Sequence, residues 1–149
     1  MLENLQLRKL VLLPGMDGTG ELFAPFIDAL PAPFGKFAHA TVLPLAGTKL
    51  VFVSGVTARE SGAQDAEAQT RVIYERIRSV LAAEGGGFQH VLKMNVFVLD
   101  IGDYPATNRI REEFFADLDP PASTLVEVSK FVRPDVRVEI ECIAAIPEQ

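Results

Sequence analysis

Cysteine is almost absent from this chain of 149 residues: Cys142 stands alone, which excludes an internal disulfide and suits a reducing compartment. Its place in the strand-like run VRVEIECIAA marks it as a small core residue rather than a nucleophile. Histidine is nearly as scarce. His39 and His90 lie far apart with no Cys or His at ligand spacing, so the sequence offers no metal site. Basic residues are outnumbered, 14 Lys and Arg against 20 Asp and Glu, for a formal net charge of −6. That balance opposes binding to nucleic acid or to an anionic membrane surface. No apolar run is long enough to span a bilayer, and the opening MLENLQLRKLVLLPGM lacks the apolar core and small-residue cleavage site of a signal peptide. A cytoplasmic protein is expected. What the chain does have is the means to build a core, since 48% of its residues are hydrophobic and its length suits a single domain.

Near the start, LPGMDGTG (13–20) follows the strand-like run Lys9 to Leu13 and precedes a helical pattern from Glu21 to Leu30, in which Leu22, Phe26, Ile27 and Leu30 share a face. Glycines after a strand can turn free N–H groups toward an anion. Here the spacing matches neither the dinucleotide fingerprint nor a phosphate loop, so a strand-to-helix turn is expected. PAPFG (31–35) then breaks the pattern.

Beyond it, a strand from His39 to Leu45, a turn at Ala46-Gly47 and the strand KLVFVSG ending at Gly55 predict a hairpin. Asp65 is placed to cap a helix with Ile73, Ile77, Val80 and Leu81 on one face, ended by Gly85-Gly86-Gly87. In HVLKMNVFVLD, Leu92, Met94, Val96 and Val98 alternate with Lys93, Asn95 and Phe97, as a strand covered on one side should. Asp103 is placed to cap a second helix, with Pro105 in its first turn and Ile110 and Phe114 facing inward, stopped by Asp119-Pro120-Pro121. Strands at 123–130 and 136–145 follow. The order ββαβαββ predicts an α+β layer of two helices on one sheet face. Val136, Val138, Ile140 and Cys142 should lie under the helices, and Arg137, Glu139, Glu141 and Ile143 on the opposite face. Phe97 and Leu125, expected on that outer face among the charges, favour covering by a partner chain and hence an oligomer.

GKFAHA (35–40), LVFVSG (50–55), AQT (68–70), VLKMNVFVLDIGDYPATN (91–108), PASTLVEV (121–128) and VEIECIAA (138–145) together resemble the Rid, or YjgF, family of reactive intermediate deaminases. The likeness covers residues 33–149 and leaves 1–32 as an N-terminal extension. It implies a chorismate-mutase-like fold, a homotrimer with small-molecule clefts between subunits, no cofactor and no metal. It also implies hydrolysis of 2-imino or 2-enamino acids to 2-oxo acids and ammonia. A ribonuclease activity is sometimes attached to this family, and the acidic balance argues against it here. The extension has its own likeness: RKLVLLPGMDGTGELFAPFIDAL resembles the start of an α/β-hydrolase, although the chain has no G-x-S-x-G elbow.

Carried over residue by residue, the resemblance assigns Glu139 to position or activate water and puts Phe37, Ser54, Gly55, Asn108, Ser123 and Leu125 at the cleft. Phe37 takes a place where many members have tyrosine. Ser123 stands where deaminating members carry an arginine that clamps the substrate carboxylate, and losing such a contact costs about 2–5 kcal/mol. Arg59 in VSGVTARES is the candidate replacement, in a pattern similar to the 2-aminomuconate deaminase branch, and its other reading is a solvated loop residue. His39 is open in the same way, between cleft and surface, and Glu141 reads as an interface residue paired with Arg137 or Lys130. Two functions follow: a metal-free imine or enamine deaminase of altered specificity, or a trimer that binds a small metabolite without turning it over.

Overall fold

The computed structural model describes residues 8–9 and 40–148. The LPGMDGTG turn, the helix expected at 21–30, and Phe37 and His39 lie outside them. Of the first expected strand only β1, Arg8–Lys9, is described, and it pairs antiparallel with β2, Ala40–Leu45. The hairpin is present. β2 turns through Ala46 and Gly47 into β3, Thr48–Thr57, and Gly47 takes a φ of 73°, a conformation glycine adopts without strain.

Helix α1, Ala66–Ala83, starts where the Asp65 carboxylate accepts the Ala68 N–H at 2.8 Å, leaving the side chain to satisfy a donor that the first turn cannot. It ends as Gly85 turns to a φ of 79° and the Gly86 N–H returns to the Leu81 carbonyl. Ile73, Ile77, Val80 and Leu81 are all buried, as their spacing requires. β4, Val91–Val98, leads into α2, Tyr104–Phe114, and then β5, Ala122–Glu127, and β6, Val138–Pro147. The sheet runs β1-β2-β3-β6-β4-β5, with β4 and β5 parallel across α2 and β6 antiparallel to both β3 and β4. Both helices contribute to the core on one face, where Val138, Ile140, Cys142, Ala144 and Ile146 alternate inward along β6. No helix among the described residues is long and apolar enough to cross a membrane.

Three local expectations need correction. Leu92 is 54% exposed, because the β4–β6 register slips between Val91 and Lys93 and Val91 takes the buried place. Leu125 is not on the outer face: it pairs in register with the buried Val96 and packs against the core. Asp103 precedes α2 but makes no side-chain capping bond. Its carboxylate accepts from the Arg137 guanidinium at 2.9 Å, while Asp100 caps the short 3-10 turn Ile101–Asp103 by accepting from Gly102.

Candidate functional site

The candidate site is built on the sheet face away from the helices. β3 loses register between Val53 and Val56: Val53 pairs with Cys142 and Val56 with Ile140, so Ser54 and Gly55 together oppose Glu141. This extra residue is a β-bulge, and it reverses the inward and outward alternation so that Val53 and Val56 both reach the core. Ser54 and Gly55 are left exposed at the bulge. From the neighbouring strand Glu139, in register with Thr57 and Phe97, leans over Gly55. The contact is so close that a Cβ on Gly55 would lie 1.9 Å from Glu139 Oε1.

Glu139 and Glu141 stand two residues apart on β6 and so share this face. Asn95 Nδ2 donates to Glu141 Oε1 at 2.8 Å. Glu139 has no hydrogen-bond donor among the described residues, and burial, with the Glu141 charge adding to it, holds its carboxyl above the usual glutamate range. Beside Glu141, and without Glu139 in its lining, a hollow of about 140 Å³ is lined by residues that include Phe52, Lys93, Asn95 and Ile143. Lys93 Nζ donates from its rim to the Thr124 hydroxyl. A half-buried carboxyl with raised proton affinity is chemically suited to act as a general base or acid.

The other sequence-derived candidates fall in different places. Arg59 lies in the loop after β3, which Arg76 of α1 holds by donating to the carbonyls of Thr57 at 2.5 Å and Arg59 at 2.9 Å. Asn108 is in the helix layer, where it donates to Glu112 and accepts from Arg111. Ser123 is exposed on β5 at the edge of the sheet, in register with Met94, and Phe37 is outside the described residues. One chain therefore brings Ser54, Gly55 and Glu139 together and leaves Asn108 and Ser123 apart from them. Within one chain Glu141 pairs with Asn95, and Arg137 with Asp103.

Sequence reasoning gave no role to Gln69, which is buried at the start of α1. Its Nε2 donates to the carbonyls of Ala63 and Asp135, and its Oε1 accepts from the Arg137 N–H, two residues before Glu139. The signal was available: Gln69 lies four residues before Ile73 on the buried stripe, and a polar residue there needs partners. No group of three or more His, Cys, Asp or Glu side chains among the described residues could hold a metal ion.

A mixed sheet with two helices on one face and this polar opposite face defines an α+β protein of the YjgF, chorismate-mutase-like class. The chain belongs to the Endoribonuclease L-PSP family, the YjgF or Rid family, whose model matches residues 27–146. A RutC family protein of Synechocystis is 32% identical over 123 residues, 78% of this chain and 91% of that protein. The 3-aminoacrylate deaminase RutC of Acinetobacter baylyi is 32% identical over 124 residues, covering 80% and 94%. Among solved structures, a protein of unknown function from Pseudomonas aeruginosa superposes with a TM-score of 0.74 at 32% identity, covering 96% of this chain and 94% of that one.

Proposed function

We propose that this protein is a metal-free deaminase that hydrolyses a small imine or enamine to a carbonyl compound and ammonia, in clefts between the subunits of a homotrimer. The observation that carries the reading is the Glu139 carboxyl, half-buried on the outer face beside Gly55 with its proton affinity raised. The family, and a relative named as a 3-aminoacrylate deaminase, support the reaction class. In the proposed step Glu139 takes a proton from water as the water oxygen bonds to the imine carbon. That proton passes to nitrogen to give the carbinolamine, and Glu139 then relays the hydroxyl proton of this intermediate to the amino nitrogen, so that the C–N bond breaks and ammonia leaves as the carbonyl forms. Ser54 and Gly55 line the same cleft. Arg59, Asn108 and Ser123 enter it in the assembled trimer, and Phe37 joins them.

Ser123 supports a shifted substrate choice. By resemblance it stands where deaminating members carry arginine, and serine supplies neither the charge nor the fork that holds a carboxylate. The same feature favours the second reading, a trimer that holds a metabolite without turning it over. Purified protein assayed with freshly generated 3-aminoacrylate, iminopyruvate and bulkier imino acids separates the two. Accelerated ammonia release, lost in Glu139→Gln, is the expected result. No acceleration for any imine, and no change on Glu139→Gln, would leave binding as the function. Gain of iminopyruvate hydrolysis in Ser123→Arg is expected if the rest of the cleft is intact.

A further inference from the structure

Gly55 is not a glycine for reasons of backbone conformation. The glycines in the left-handed region are Gly47, Gly62 and Gly85, and Gly55 is not among them, so an L side chain is conformationally allowed there. What forbids one is space. A Cβ built on Gly55 meets three atoms of one side chain and in order of distance they are Glu139 Oε1 at 1.9 Å, Cδ at 2.8 Å and Cγ at 3.2 Å. The bulge raises this stretch of β3 on the outer face, and the missing side chain leaves a seat that the carboxylate fills.

We infer that Gly55 is a positioning residue, whose absent side chain sets where the Glu139 carboxylate rests on the sheet. The inference builds on the proposed role of Glu139 in imine hydrolysis, but the seating itself is independent of any reaction. The atoms in conflict are the far end of a flexible side chain, so Gly55→Ala leaves the sheet intact and drives the carboxylate off its seat toward water. The charge that acts on that seat is Glu141, two residues further along β6, while Arg137, two residues before Glu139, pairs with Asp103.

The test measures the titration of the Glu139 carboxyl by carbon-detected NMR in wild type and Gly55→Ala, with Glu139→Gln to assign the signal. The titration midpoint is expected to fall in Gly55→Ala toward that of a solvated glutamate. With the substrate that wild type hydrolyses, kcat should drop about 10- to 100-fold, the penalty of displacing a reacting group by roughly an ångström, with KM changed far less. Thermal melting checks the fold. In a Glu139→Ala background, Gly55→Ala should leave melting unchanged, because the clash has gone. An unmoved midpoint together with unchanged kcat in Gly55→Ala would overturn the inference. If wild type hydrolyses no imine and the midpoint still falls, the seating stands and the proposed reaction is what fails.

Discussion

Asn95 donates a 2.8 Å hydrogen bond to Glu141, and that bond separates two carboxylates that the sequence VEIE makes look alike. Glu141 is held by its neighbour on β4. Glu139 rests against a glycine, with its proton affinity raised by burial and by the Glu141 charge.

The raised proton affinity of Glu139 fixes the sign of a stability effect. A carboxyl that binds its proton more tightly in the folded than in the unfolded chain contributes stability below its ordinary value, near 4.5, and loses that contribution as pH rises through the folded value. Ionised Glu139 therefore costs stability at neutral pH. Glu139→Gln should melt at a higher temperature than wild type at pH 8, with the gap closing as the pH falls toward 4.5. Calorimetry across that range checks it, and a gap independent of pH would refute the account. A variant that is steadier yet inactive is the expected signature of a group kept for function.

Replacing Gln69 with leucine keeps the bulk and removes three hydrogen bonds that join α1 to the loop at Ala63 and to the entry of β6. Part-buried backbone groups would lose their partners, at a cost of about 1–3 kcal/mol. Urea unfolding monitored by circular dichroism measures it. A loss below about 0.5 kcal/mol would mean that water replaces the side chain without penalty.

Asp65 and Asp103 look interchangeable ahead of their helices, but only Asp65 caps one. Asp65→Ala should cost about 1 kcal/mol, much the same in low and high salt. Asp103→Ala removes a partly exposed ion pair with Arg137, worth about 0–1 kcal/mol, and molar salt should erase most of the difference from wild type. Equal salt dependence in the two variants would contradict the assignment.

Cys142 is buried among the core residues, and burial, with the Glu141 charge adding to it, pushes its thiol up to about 12. A thiol that stays protonated and covered is unreactive. A disulfide reagent should label it at pH 8 only after denaturant is added, and fast labelling of the native protein would show that β6 opens readily.

The order of elements and the buried stripes were legible because they depend on local periodicity. Ile73, Ile77 and Leu81 at helical spacing and Val138, Ile140 and Cys142 at strand spacing could each face only one way. Leu92 and Leu125 were misread because a register slip and a strand pairing decide them, and neither is encoded within a few residues of sequence. The site divides similarly. Glu139, Ser54 and Gly55 became candidates through the family resemblance, while the bulge that groups them depends on the pairing of β3 with β6. The roles of Gln69 and Arg76 depend on backbone carbonyls from distant loops, which carry no signature of their own.

The position of β6 has a consequence for how the chain is made. It comes after every other strand in sequence, yet in the sheet it lies between β3 and β4. Until it emerges from the ribosome, the β2–β3 hairpin and the β4–α2–β5 unit have no strand pairing to each other, and each presents an open edge. Closure must wait for the last strand, through contacts far apart in sequence, which slows folding and lengthens the interval in which a nascent chain can aggregate or engage a chaperone.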